Sequence, residues 1–267
     1  MYRPRIVEEW ETIRTILRER ASIGRYGDGE FKLCFGKKQI SQLPNPLLQQ
    51  KLRDVLKSQD PKFLVGIPRI WGRSDLQVYD PHKWAWWQGY ARSPTIDLFD
   101  PKKLYYSSFI TRPDSAIHIE CEDYWKMCQG IWKKRRVLVV CGAQGALNKM
   151  AKAMDPSRGF LAGATEVQWV LGPHTNAFAM YDDILGKVDK YGRDFLVILS
   201  MGPTATVMAY DIFKMGFQAL DIGHMPMFFA REHSKSPPNK ITEYAYQKLL
   251  DMSREAQGPE ESNVPNQ

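Results

Sequence analysis

The clearest alternation of apolar and polar segments runs from residue 195 to residue 224. Phe195 to Leu199 is an unbroken apolar run, as expected of a buried strand. The chain then turns through Ser200-Met201-Gly202-Pro203-Thr204 and shows helical apolar spacing over residues 205–215. Gly216 stops that helix, and residues 217–222 read as a second short strand ending just before His224. This is a strand–turn–helix–strand unit of the kind that builds parallel sheets. The same alternation extends over most of the chain. Ile6, Trp10, Ile13 and Leu17 share one face of a helix predicted over residues 6–20. A short strand follows at 21–26, then a glycine-rich turn at 27–30, then a helix or hairpin from Phe31. Further helices are predicted at 45–57, 82–91, 116–132, 146–154 and 176–191, and further strands at 63–67, 104–111 and 137–140. Another strand is expected at either 160–162 or 167–170. The expected fold is therefore α/β: a Rossmann-like, mostly parallel sheet with helices on both faces. Residues 1–233 read as a single domain. Residues 234–267 read as one amphipathic helix, at 240–254, and a disordered polar tail.

Composition narrows the picture. With 267 residues, 43% of them hydrophobic and 25% charged, the chain can bury a full core without disulfides. Its four cysteines, Cys34, Cys121, Cys128 and Cys141, lack zinc-site spacing and read as reduced thiols. No apolar run reaches the roughly 18–20 residues of a membrane span. The N-terminal stretch alternates charged and apolar residues without a signal-type apolar core, so a cytoplasmic location is expected, with at most peripheral membrane contact. The net charge of +7 includes the run Lys133-Lys134-Arg135-Arg136, which is either a solvated strand entrance or a surface for an anionic partner. Eight tryptophans are many for this length, and Trp84, Trp86 and Trp87 fall together.

The candidate chemistry sits at the turns. Asp28 and Glu30 form an Asp-x-Glu pair between Gly27 and Gly29, and two carboxylates so placed can converge on a hard divalent cation, Mg²⁺ or Mn²⁺. The same residues also suit an exposed acidic hairpin turn. Arg25 is placed either to neutralise a phosphate or to pair with Glu30. Arg112, leaving a strand before Pro113, suits a diphosphate or a surface salt bridge. Gly202, Pro203 and Thr204 open a helix whose N-terminus favours an anion. Asn176 is either a helix cap or a contact to a base or sugar. His224, at a strand end, is either structural or a metal ligand. As a ligand it would make metal affinity fall as the pH drops through the ordinary histidine range. Asp221 reads as its supporting partner or a loop cap. There is no dinucleotide fingerprint, Walker A motif or nucleophile elbow.

Five segments, in order, carry a resemblance. They are Ser22-Ile23-Gly24-Arg25-Tyr26-Gly27-Asp28-Gly29-Glu30, Phe109-Ile110-Thr111-Arg112-Pro113, Asn176-Ala177-Phe178, Met201-Gly202-Pro203-Thr204-Ala205, and the stretch from Gly216 to His224. Over residues 5–230 the chain resembles the GT-D-type glycosyltransferases, first described as a domain of unknown function. The resemblance implies a UDP-sugar donor, a divalent metal held at Asp28 and Glu30, and His224 beside the metal or the diphosphate. Its acceptor would be a glycan, a glycoprotein or a lipid-linked sugar, and a homo-oligomer is a further expected partner. After His224 the family continues with acidic residues, whereas here the first carboxylate is Glu232. The proton-accepting base is therefore expected among Glu232, Asp114 and Asp75. Two competing readings are a non-catalytic nucleotide- or nucleic-acid-binding protein using the tryptophans as stacking platforms, and a methyltransferase using residues 142–145.

Overall fold

The computed structural model describes residues 3–71, 79–91, 94–142 and 159–233. Its elements are β1 (Arg5–Val7), α1 (Glu9–Glu19), β2 (Ser22–Arg25), α2 (Asp28–Cys34), α3 (Pro46–Lys57), β3 (Phe63–Ile67), α4 (Pro81–Ala91), β4 (Leu104–Ser107) and α5 (Glu122–Trp132). The second half adds β5 (Arg136–Gly142), β6 (Glu166–Gly172), α6 (Tyr181–Val188), β7 (Leu196–Ser200), α7 (Pro203–Lys214), β8 (Gln218–Asp221) and α8 (Met225–His233).

The strands form one sheet in the order β1-β4-β3-β2-β8-β7-β5-β6, and every pairing between them is parallel. Their carboxyl ends therefore lie along one edge. Across the sheet that edge reads Val7, Ser107, Ile67, Arg25, Asp221, Ser200, Gly142 and Gly172. The chain order breaks between β7 and β5: β5 is followed outward by β6, while β7 is followed inward by β8. Crevices at such breaks are where open α/β sheets bind ligands.

Helices cover both faces because successive strand residues point to opposite sides. Ile23 lines a small void with Ile13 and Ile16 of α1 and with Ile131 and Trp132 of α5. Gly24, the next residue, faces α7 on the other side: a Cβ there would stand 2.9 Å from the Thr206 carbonyl oxygen and 3.1 Å from the Phe63 ring. Only a glycine lets α7 approach β2 this closely. Replacing Gly24 with valine should cost about 1–3 kcal/mol of stability through overpacking against backbone, and a urea midpoint unchanged from wild type would contradict that account. The centre of the sheet is dry, with Val137 to Cys141 and Leu196 to Leu199 all buried, as parallel strands covered on both faces require. All four cysteines are free.

Several boundaries differ from the sequence reading. The strand expected to reach residue 111 stops at Ser107, whose hydroxyl accepts the Phe109 amide and starts a 3-10 turn, Ser108–Thr111. The helix expected over 176–191 is a 3-10 turn, Ala177–Met180, followed by the shorter α6. Of the two candidate strands, the second is realised, as β6. Strand β1 and helix α8 went unread, β1 because three residues carry no usable period. The helices expected at 146–154 and 240–254 lie outside the described residues, as does the expected tail.

Candidate functional site at the carboxyl edge

Gly27 ends the extended run of β2 and caps α2, so Asp28 and Glu30 occupy the first turn of a helix rather than a hairpin turn. Acidic residues favour that position, because they face unsatisfied amides and the positive end of the helix dipole. Glu30 reaches back and accepts the Gly27 amide at 2.6 Å. Asp28 points outward, 38% exposed, and pairs with Lys32 at 3.3 Å. Glu30 makes no ion pair among the described residues. Burial, with the Asp221 and Asp28 carboxylates adding to it, pushes its carboxyl up from 4.5 to about 7.

Arg25 does not pair with Glu30. Its guanidinium meets the Asp221 carboxylate at 2.9 Å, its Nε donates to the Asp221 carbonyl at 2.6 Å and its Nη1 donates to Thr111. Asp221 also accepts the Arg25 amide, the Thr206 hydroxyl and the Gly223 amide, so it is the loop cap foreseen from the sequence and an anchor for Arg25 as well. Gly223 has φ +49°, and a Cβ there would collide with the Arg25 guanidinium. The conformation and the close approach both demand glycine. Ser200 at the end of β7 donates to the Gly223 carbonyl at 2.7 Å, which fixes the loop carrying His224.

The His224 ring keeps solvent-accessible surface, and no hydrogen bond to it is present among the described residues. Dense surrounding protein, and then the positive charges of Arg112 and Arg25, lower its pKa to about 4. The imidazole is therefore neutral throughout the ordinary histidine range, and the pH dependence expected of it there moves to more acidic conditions. Arg112 holds Asp114 in a bidentate pair, 2.7 and 2.9 Å, and Lys83 of α4 approaches the same carboxylate at 3.8 Å. The Asp114 carboxyl is held below its usual range by these cations against the opposing effect of burial, which makes it a poor proton acceptor. Of the other candidate bases, Asp75 and the Glu232 side chain lie outside the described residues, although α8 includes the Glu232 backbone.

At the start of α7, Gly202 has φ +56° and ψ −148°, a backbone suited to glycine, and lies exposed. Pro203 and Thr204 are buried. The Thr204 hydroxyl, expected beside the open amides, instead donates to Gln42 at 3.0 Å. Gln42 is a junction the sequence did not reveal. It is 2% exposed, accepts the Phe178 amide, and donates to Asn176 Oδ1 at 2.7 Å. Asn176 is correspondingly not a side-chain cap, and its left-handed backbone, φ 53°, opens the 3-10 turn. What α7 still offers an anion is the first-turn backbone amides. Gly29 of α2 packs against Pro203, since a Cβ on it would stand 3.4 Å from the proline ring. The acidic turn and the α7 N-terminus are thus neighbours.

Asp28, Glu30 and His224 do not bring their ligand atoms within 4.8 Å of one another. Among the described residues, the group that does so is Glu8, Glu9 and His118. Those carboxylates are already engaged. Glu8 accepts the Trp10 and Glu11 amides, and Glu9 accepts from Ser107 and Tyr79 and contacts Arg69 and His118, each at 3.1 Å. Glu9 is a buried tie between α1 and the loops after β3 and β4, its carboxylate already engaged by Ser107, Tyr79, Arg69 and His118.

A parallel sheet with a carboxylate pair, two arginines, a histidine and a helix N-terminus along its carboxyl edge defines a site for an anionic, nucleotide-type ligand. Residues 23–232 match the model of the glycosyltransferase GT-D fold, and the chain belongs to that family. It is 25% identical over 224 residues to the "Probable glycosyl transferase Gly" of Streptococcus gordonii, covering 80% of this chain and 31% of that protein. To the "Glycosyltransferase GlyD" of Streptococcus pneumoniae serotype 4 it is 25% identical over 221 residues, covering 80% of this chain and 26% of that protein. The chain thus spans about a third or less of the length of these relatives. A solved structure of domain of unknown function 1792, described as having a distinct glycosyltransferase fold, superposes with a TM-score of 0.75 at 26% identity, over 86% of this chain and 81% of that one. A glycosyltransferase of the same domain type from Streptococcus sanguinis shares the fold with a TM-score of 0.74 at 23% identity, over 85% and 84% of the two chains. No helix among the described residues is long and apolar enough to cross a membrane.

Proposed function

We propose that this domain transfers a sugar from a nucleotide-sugar, a UDP-sugar by preference, to a glycan, glycoprotein or lipid-linked acceptor, using Mn²⁺ or Mg²⁺ bound at Asp28 and Glu30. The observation that supports this most is the state of Glu30. A desolvated carboxylate beside two other carboxylates, with no ion-pair partner among the described residues, is costly unless a cation joins it. The oxygen-only donors of Asp28 and Glu30 suit a hard cation, and neutral His224 offers either a ring lone pair to the cation or a ring N–H to a diphosphate oxygen. When bound, the cation supplies positive charge that offsets the charge developing on the departing diphosphate. Arg112, whose charge reaches His224, and the first-turn amides of α7 add positive potential from the chain itself. Arg25 acts differently: fully engaged by Asp221 and Thr111, it holds the edges of β2 and β8 in register.

The features behind the nucleic-acid reading are largely occupied. Arg136 is paired with Glu166 and Asp194, and Arg135 donates to Gln218. Trp87 is buried, and Trp84 stacks on Tyr79 with ring centroids 5.0 Å apart.

The test is a panel of nucleotide-sugars assayed for hydrolysis and binding with and without Mn²⁺. The expected result is metal-dependent turnover of a UDP-sugar, reduced at least ~100-fold in Asp28→Ala, on the several kcal/mol a catalytic cation contributes. The Asp28–Lys32 pair is exposed, so its loss should change stability by under about 1 kcal/mol. Metal-independent turnover, or wild-type turnover in Asp28→Ala, would overturn the assignment.

A further inference from the structure

Lys83, Trp86, Trp87 and Tyr90 fall at i, i+3, i+4 and i+7 along α4, and so share one face. That face spans the site. At its start Lys83 approaches Asp114, the partner of Arg112. At its end the Asp28 and Glu30 carboxylates lie near enough to Tyr90 to contribute to the raised pKa of its phenol. Between them, Trp87 is buried against Phe109, with centroids 5.3 Å apart, at the head of the turn that delivers Arg112. Trp86 stands on this base, 4.7 Å from Trp87 and 5.0 Å from Tyr90, yet 42% of it remains open. Gln88 donates to the Ile70 carbonyl, which ties the helix to the loop after β3.

A large exposed indole, braced by the buried Trp87 and the half-buried Tyr90 and set between an arginine–aspartate pair and a carboxylate pair, suits an uncharged ligand with one apolar face and a polar rim. A pyranose ring has that form. Its C–H face is weakly positive and meets the electron-rich indole face, while its hydroxyls point sideways to charged neighbours. A transferase must hold an acceptor beside its donor, and this surface adjoins the proposed donor site.

We propose that the Trp86 face of α4 is the acceptor subsite, where Trp86 stacks on the terminal pyranose of the acceptor. This inference rests on the glycosyltransferase reading given above. It is tested on the whole chain labelled with ¹⁵N-tryptophan, with the Trp86 indole resonance assigned through Trp86→Phe. The probes are methyl β-glucopyranoside, methyl β-galactopyranoside, methyl N-acetyl-β-glucosaminide and maltose at millimolar concentrations, with and without UDP and Mn²⁺. The expected result is a saturable shift of the Trp86 indole with at least one probe, persisting when UDP and Mn²⁺ are present. Trp86→Ala should weaken that probe's binding about tenfold or more, read by saturation transfer from the protein to the sugar, as truncation of an exposed aromatic anchor does, and Trp86→Phe should keep part of it. No Trp86 shift with any probe, or a shift that UDP abolishes, overturns the inference. Nucleotide-sugar binding by the wild-type chain is measured in parallel. If it is present and Trp86 is silent, only the acceptor subsite fails. If it is absent and Trp86 responds, the face binds sugars and the transferase reading fails.

Discussion

Glu30→Gln should stabilise the metal-free protein above pH 7 by ~1–3 kcal/mol while abolishing metal-supported turnover. The Glu30 carboxyl titrates near 4.5 in an unfolded chain and at about 7 in the fold. Between those values the folded protein holds a proton that the unfolded chain has lost. Its contribution to stability is thus fully present below pH 4.5 and is lost as the pH rises through 7. Glutamine keeps an oxygen for the Gly27 amide and carries no charge, so the variant should escape that loss. Urea unfolding of both proteins from pH 4 to 8 gives the comparison. His224 shifts in the opposite sense, but it is present in both proteins and cancels in the difference. The expected difference is near zero at pH 4.5 and grows to its full size above pH 7. A constant difference across the range would remove Glu30 as a strained acid. Metal binding supplies a second readout. A proton competes with the cation below pH 7, so wild-type Mn²⁺ affinity should fall by up to about tenfold per pH unit below that point. His224→Ala should keep this profile, whereas Glu30→Gln should flatten it. A wild-type profile that breaks near pH 4 would assign the dependence to His224 instead.

Asp221→Ala should be among the most destabilising single changes at the site, by about 3–5 kcal/mol, because it strands the Arg25 guanidinium. The two side chains are 13% and 4% exposed, and Asp221 takes four hydrogen bonds from Arg25, Thr206 and Gly223. A loss of that size corresponds to a fall in melting temperature of roughly 10 °C for a domain of this length. Arg25→Met should cost a comparable amount, since it leaves the Asp221 carboxylate without its cation. The double variant should be more stable than the two losses predict by about 2 kcal/mol or more, because neither charge is then stranded. Additive losses in that cycle would show that Arg25 and Asp221 act independently, with Thr111 and the Asp221 carbonyl sufficient to hold Arg25.

The two results together separate roles that lie side by side. Arg25 and Asp221 close the seam between β2 and β8 and set the loop that presents His224. Asp28 and Glu30, which hold the cation in the proposed function, pair among the described residues only with Lys32 and the Gly27 amide and contribute little to the core. A domain of this family that lost its first pair would lose its fold near the site. One that lost its second pair would keep the fold and lose the proposed chemistry.

The sequence by itself determined the periodic elements. Helices α1, α3 and α7 carry apolar stripes at helical spacing, and β3, β5 and β7 are apolar runs of strand length bounded by turn residues, so local pattern alone marks them. It also marked the turns at Gly27–Glu30, Gly202–Thr204 and Asp221–His224, because glycine beside acidic or hydroxyl residues stands out against the apolar runs. The tertiary structure decided what those residues do. Nothing local to Arg25 distinguishes a phosphate ligand from half of a buried ion pair, and its partner lies 196 positions away. Nothing local to Thr204 shows that its hydroxyl belongs to Gln42, 162 positions earlier. Asp28 and Glu30 suited both a cation site and an acidic hairpin turn, because Asp-Gly favours such a turn, and the structure makes them a helix start, with Gly27 as cap and Gly29 packed on Pro203. The proton affinities of Glu30 and His224 likewise depend on the protein packed around them and on charges that other segments bring near, Asp221 for Glu30 and Arg112 and Arg25 for His224. Hydrophobic periodicity is a property of neighbours in the chain, whereas ion pairing, desolvation and ligand geometry are properties of neighbours in space, and in a parallel sheet those neighbours come from distant strands.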